Sequence, residues 1–197
     1  MKKFTASLFL IIIVMPGFAQ VNQDTSKHLS FKGVPIDGTL NEFVLKMENN
    51  GFTQISMNDG VAILQGDFAL YKSCIVEVST LKTKDLVAKI AVQFPFSNTW
   101  ANLSNSYFNL KEMLSEKYGN FSDSSETFQS SFQPESDFLK MSFVKSDKCK
   151  YYATYKTDKG TIRLSIEHDP LLRSFVKLVY SDKINSETVK KLALEDL

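Results

Sequence analysis

The stretch that decides the fold is "SCIVEVSTLKTKDLVAKIAVQF", residues 73–94. It contains two alternating runs, "SCIVEVSTL" and "LVAKIAVQF", joined by the polar turn "KTKD". In the first run Cys74, Val76 and Val78 fall on one side, and Ser73, Glu77 and Ser79 on the other. In the second, Leu86, Ala88, Ile90 and Val92 share a side while Lys89 and Gln93 point away. Period two with one apolar face predicts antiparallel strands covered on one side and wetter on the other.

The same pattern extends upstream. "TQISM" leads through "NDG", a hairpin-turn signal, into "VAILQGDF". Before these lies "FKGVPIDGTLNEFVLKMENNGF", residues 31–52. Pro35 to Gly38 is turn chemistry. Thr39 with Glu42 three positions on forms a capping box. Leu40, Phe43, Val44 and Met47 recur at helical spacing, and Gly51 supplies a helix stop. Each residue type in this opening has a structural job, so it is read as architecture.

Downstream the theme repeats. Ser97, Asn98 or Thr99 caps a helix whose stripe is Trp100, Leu103, Tyr107, Leu110 and Leu114, closed by Gly119. Four strand candidates follow: "ETFQSSF", "KCKYYATYK", "TIRLSIEH" and "SFVKLVYS". "TDKG" reads as a tight hairpin, and "SDFLKMSFVKSD", between the first two strands, as a short helix. The closing segment "INSETVKKLALEDL" is a helix capped by Asn185, with Ile184 and Val189 at hydrophobic-staple spacing.

The predicted fold class is α+β: a helix plus four antiparallel strands, twice, with the helices on one face of the sheet and a C-terminal helix. The organisation is a signal peptide over 1–19, a flexible lead-in over 20–30, a first repeat over 31–95, and a second over 96–197 carrying an insertion. The two repeats are expected to pack as one unit.

The runs "FKGVPIDGTLNEFV", "GDFALYKSC", "KCKYYATYKTDKGTIRLSIEH" and "SDKINSE" resemble a group of small exported bacterial proteins of unknown function. In layout, the duplicated unit resembles the β-lactamase inhibitor protein fold and the small lipoprotein subunit of outer-membrane assembly machinery. The resemblance implies a binding protein; the lipidated cysteine of the second has no counterpart after the apolar run here.

Lys2 and Lys3, an apolar run from Ala6 to Met15, and Gly17-Phe18-Ala19 match a secretory signal peptide with cleavage near Ala19. The apolar run is half the ~20 residues a spanning helix needs. Without Lys2 and Lys3 the chain carries 21 basic and 22 acidic residues. A near-neutral chain has no general attraction for nucleic acid or anionic membrane. The expected location is therefore the periplasm or the extracellular space. In that oxidising setting Cys74 and Cys149 are either a disulfide or two buried thiols.

Catalytic signatures are scarce. The sequence has two histidines: His28, read as a flexible surface residue, and His168, read as a turn-edge residue. No HxxxH, HExxH, CxxC, GxSxG or phosphate loop occurs, so no metal and no cofactor is expected. Asp59, Asp67, Glu77, Asp85, Glu167 and Asp169 lie on strands or turns, where a fold brings carboxylates together in a hydrolase. In "KSDKCKYYATYKTDKG", Tyr151 and Tyr155 share a face and Lys150, Tyr152 and Lys156 the other. That pattern suits either a sugar-gripping surface or a core strand with a lysine-rich exterior.

The expected function is a non-catalytic binding module of the bacterial envelope or extracellular space. Its partner is an unidentified protein or glycan. The expected site is the wetter sheet face, carrying Glu77, Lys89, Gln93, Arg163, Ser165, Glu167 and Lys177. The alternative is a carboxylate-based hydrolase acting on glycans or peptides.

Overall fold

The computed structural model describes residues 26–81 and 84–195. The expected signal peptide, its cleavage point at Ala19 and most of the lead-in lie outside the described residues, as do Lys82 and Thr83 of the "KTKD" turn.

A two-stranded ribbon, β1 (Ser30–Phe31) and β2 (Val34–Pro35), opens the fold and leads into helix α1 (Leu40–Asn49). Then come β3 (Thr53–Asn58), β4 (Val61–Phe68), β5 (Tyr71–Leu81) and β6 (Lys84–Gln93). Helix α2 (Trp100–Tyr118) precedes β7 (Asp123–Phe128), α3 (Asp137–Lys145), β8 (Cys149–Lys156), β9 (Gly160–His168) and β10 (Ser174–Asp182). Helix α4 (Lys183–Glu195) runs on directly from β10. The fold is α+β, built on one antiparallel eight-stranded sheet in the order β3-β4-β5-β6-β10-β9-β8-β7. Two meanders therefore meet along β6 and β10, and β3 and β7 form the outer edges.

Local chemistry accounts for most element ends. The Thr39 side chain accepts from Glu42 N, and the Glu42 carboxylate accepts from Thr39 N, completing the capping box. Those bonds hold the Glu42 carboxyl below its ordinary pKa. Thr99 is the residue that caps α2, and Ser136 caps α3. Asp59 and Gly60 both have positive φ, 53° and 74°, the turn geometry whose twist matches a hairpin. The glycine at 160 answers to close approach: an added Cβ would sit 2.3 Å from the Ser181 carbonyl oxygen.

The apolar stripes of α1, α2 and α3 join one core with the inward residues of the strands, including Leu64, Val76, Val78, Ile90, Leu164 and Leu178. Phe43, Met47, Leu103 and Tyr107 are fully or almost fully buried there. Burying each such side chain is worth about 1.5–3 kcal/mol. Tyr155 lies in this core, and Tyr151 packs edge-on against Trp100, with ring centres 5.0 Å apart. The inward tyrosines of "KCKYYATYK" are thus structural.

Several expectations need correction. The second alternating run does not hold one phase. Ser79 pairs with Lys89 but Thr80 pairs with Val87, so Ala88 is an extra residue in β6. This bulge turns Val87 into the core and leaves Leu86 half-buried, while Ala88 stays buried, and Val87 N donates to Gly38 O at 2.9 Å. A second irregularity, between Gln54 and Ser56, sets Ile55 off the β3–β4 ladder. The strand expected at "ETFQSSF" begins at Asp123 and stops at Phe128; Phe132 beyond it packs on Phe143.

The end of the lead-in is not flexible surface. Leu29 is core, and Phe31 stacks among Phe52, Phe68 and Tyr180. His28 Nδ1 lies 3.1 Å from the buried Asp182 carboxylate, and Nε2 3.5 Å from Asp37. Asn185 does not cap α4. The Asp182 carboxylate accepts from Asn185 N at 2.9 Å and from Leu29 N at 2.8 Å. The Asn185 side chain turns inward instead, donating to Ile36 O and Val87 O. The partner side chain of the expected staple, Val189, is outside the described side chains.

Candidate binding face

The strand register defines the face opposite the helices. Reading partners across the sheet, one row is Tyr152, Ser165, Lys177, Gln93, Ile75 and Gln65. The next is Arg163, Val179, Ala91, Glu77, Ile63 and Ser56. The third is Thr161, Ser181, Lys89, Ser79, Val61 and Asn58. The Glu77, Lys89, Gln93, Arg163, Ser165 and Lys177 of the sequence reading all fall in these rows, and Glu167 stands two residues beyond Ser165 on β9. The middle of the face is small and aliphatic: Ala91 is buried, while Val61, Ile63, Ile75 and Val179 are half-buried.

The charged residues are not spread evenly. Arg163, Glu167 and Lys177 gather at one corner, and the first two line a cavity of about 260 Å³ with Lys150, Tyr152, Ser165, Asp147 and His168. Glu77 lies three strands from Arg163, ~14 Å at ordinary strand spacing. Its carboxylate accepts from Ser79 Oγ at 3.0 Å. Lys89 is exposed in the third row. The five charged positions of the sequence reading therefore share a face, but only three share a site.

At the corner each group has a definite posture. The Arg163 guanidinium lies 3.9 Å from the centre of the Tyr152 ring, and Nη1 donates to Thr154 Oγ1 at 3.1 Å. A cation over an aromatic ring contributes about 0.5–1 kcal/mol at an exposed site. The Lys177 ammonium lies 3.2 Å from the Glu167 carboxylate, which also accepts from Ser165 Oγ at 2.7 Å. His168 Nε2 is 3.2 Å from Asp147 and Nδ1 is 2.9 Å from Asp169 O, consistent with its turn-edge reading. Sequence alternation placed Tyr152 and Lys150 outward. It missed Thr154, and it missed the Arg163–Tyr152 stack, because cross-strand register depends on turn lengths rather than on either strand alone.

The other candidate chemistry is dispersed. Asp67 is paired with Lys72, and Asp169 with Arg173. Asp59 and Asp85 line a larger cleft of about 720 Å³. There Asp85 accepts from Leu40 N at 2.9 Å and so serves the start of α1. Among the described residues no group of three or more His, Cys, Asp and Glu side chains is placed to hold a metal. No helix among them is long and apolar enough to cross a membrane. Cys74 on β5 and Cys149 on β8 are free thiols, four strand spacings apart, so they cannot pair. Burial pushes the Cys74 thiol up to about 11 and the Cys149 thiol up to about 12, so neither is poised as a nucleophile.

Comparison with protein-family models, curated proteins and solved structures finds no match for the chain.

Proposed function

We propose that the chain is a non-catalytic binding module that engages a partner through the open face of its sheet. The observation that carries this reading is the corner just described. An arginine is held in one posture by an aromatic ring and a buried threonine, beside an uncovered aliphatic strip. Such rigid, partly desolvated anchors resemble the hot spots of interfaces. A protein fits the strip better than a glycan does, because a saccharide stacks on bare aromatic rings. Here the Tyr152 ring is covered by Arg163, and Phe96, packed on Phe175, lies under Arg173.

The remaining parts of the proposal rest on sequence. Export to the bacterial envelope or extracellular space, with cleavage after Ala19, follows from the leader pattern; intact-mass analysis of the secreted product should start at or within a residue or two of Gln20. We also read α1 with β3–β6 and α2 with β7–β10 as copies of one unit, α3 being the insertion. The kinship to small exported bacterial proteins and the inhibitor-like layout belong to the same reading.

The test uses a partner recovered with the tagged mature protein. Arg163→Ala and Lys177→Ala on the sheet face are compared with Lys46→Ala on α1. Affinity should fall for the two sheet variants and hold for the helix control. Equal, unchanged affinity in all three removes the sheet-face site.

A second reading, a carboxylate-based hydrolase, draws on one observation: Asp59 and Asp85 share a cleft of about 720 Å³. It requires Asp59→Asn alone to abolish turnover of a glycan or peptide substrate without loss of stability.

A further inference from the structure

Resting on the sheet-face reading, we propose that the Arg163 corner is a receptor for an acidic side chain, Asp or Glu, of a protein partner. The receptor is the guanidinium of Arg163, with Lys150 lining the same cavity between β8, β9 and the turn after α3.

Charge balance is the first argument. Among the described residues the other acids and bases of this corner already have partners: Glu167 lies against Lys177 and Ser165, and Asp147 against His168. Arg163 and Lys150 have no carboxylate within ion-pair distance among the described residues. Glu167 and Asp147 line the same concavity but pair with neither cation, so Arg163 and Lys150 keep donors for an incoming anion, and the concave wall strengthens their field.

Posture is the second. Arg163 stacks on Tyr152 and spends one N–H on Thr154, which is itself buried. A guanidinium has five N–H donors in a fixed fork. Fixing the group in advance removes much of the entropy cost of gripping a planar carboxylate with two parallel bonds.

Size and surroundings are the third. The cavity, about 260 Å³, falls short of the ~300–1,000 Å³ of pockets that enclose a whole small ligand. It suits one inserted side chain. Val179 neighbours Arg163 across the β9–β10 pair, and Ala91 follows it. An acidic residue flanked by aliphatic ones would therefore fill the corner and the strip together.

The test is a nitrogen-15 NMR titration of the folded protein with a blocked Glu-Ile-Glu tripeptide. The Gln-Ile-Gln tripeptide and tri-galacturonate serve as comparison probes. The Glu tripeptide should move the Arg163 Nε–H signal and the amides of 150–154 and 163–167. Affinity should drop at least about tenfold for the Gln tripeptide and for Arg163→Ala, the loss expected when a charged, bidentate contact goes. Arg163→Lys, which keeps the charge but not the fork, should recover little of it, and Lys46→Ala should match the parent. Sheet-face shifts of equal size with both tripeptides, or unchanged binding by Arg163→Ala, overturn the receptor while the binding face stands. Shifts confined to the helix side, or none, overturn both. Tighter binding of tri-galacturonate through Arg163 overturns the choice of a protein partner.

Discussion

Asp182 ties the N-terminal segment to the start of α4. It is fully buried at the join of β10 and α4, and its two oxygens accept from Leu29 N and Asn185 N beside the His28 imidazole. Asp182→Ala strands two buried N–H groups, each worth about 1–3 kcal/mol when left unmade. We expect a loss of about 3 kcal/mol, seen as a lowered urea midpoint, with far-ultraviolet dichroism retained. A shift under half that size would mean the N-terminal segment is held by its apolar contacts alone. The contrast with Thr39 shows what a sequence makes legible. Thr39 and Glu42 are three positions apart, and the box can be read from the letters. Asp182 meets His28 and Leu29 across more than 150 positions. Nothing local marks "SDKIN" as the anchor, so Asn185, a good cap by type, was the natural choice and the wrong one.

At the scale of elements, α1 is the cleanest case. Thr39→Ala removes the side-chain acceptor of Glu42 N and should cost on the order of 1 kcal/mol. Chemical denaturation measures it, and affinity in the folded fraction should not change. The Glu42 side of the box depends on pH with a definite sign. Its carboxyl sits below the ordinary value when folded, so its support is present at neutral pH and fades as acid brings the medium down through that value. The difference between parent and Glu42→Gln should accordingly shrink in acid. Helices and strands were legible from period and caps because those are local. The slip at Ala88 was not, since a bulge is chosen by what the neighbouring chain needs. Here Val87 N meets Gly38 O and Val87 O meets Asn185. The candidate corner was half legible for the same reason: outward residues can be read from alternation, and their partners across strands cannot.

For the molecule as a whole, one core runs beneath both meanders, and each meander holds one thiol in it. Cooperative unfolding then exposes Cys74 and Cys149 together. With both thiols pushed up by burial, a thiol reagent at pH 8 should label neither in the native protein. Under rising urea the two should become reactive over the same range, as mass spectrometry of the two peptides would show. Labelling of one thiol well before the other would divide the molecule into two separately stable halves. The non-reduced protein should also carry both thiols free.

The displaced Ile55 on β3 bears on how the protein behaves in a crowd. An open sheet edge presents a ladder of backbone donors and acceptors that another copy can extend. At Ile55 the pairing of this edge strand with β4 slips out of register, and the residue itself is more than half exposed. Deleting Ile55 would restore an even edge one residue shorter. The deletion should fold, yet turn concentrated solutions into slowly growing assemblies visible by light scattering, while the parent stays clear. One out-of-step residue on an outer strand then sets how much of this protein a compartment can hold before it begins to polymerise.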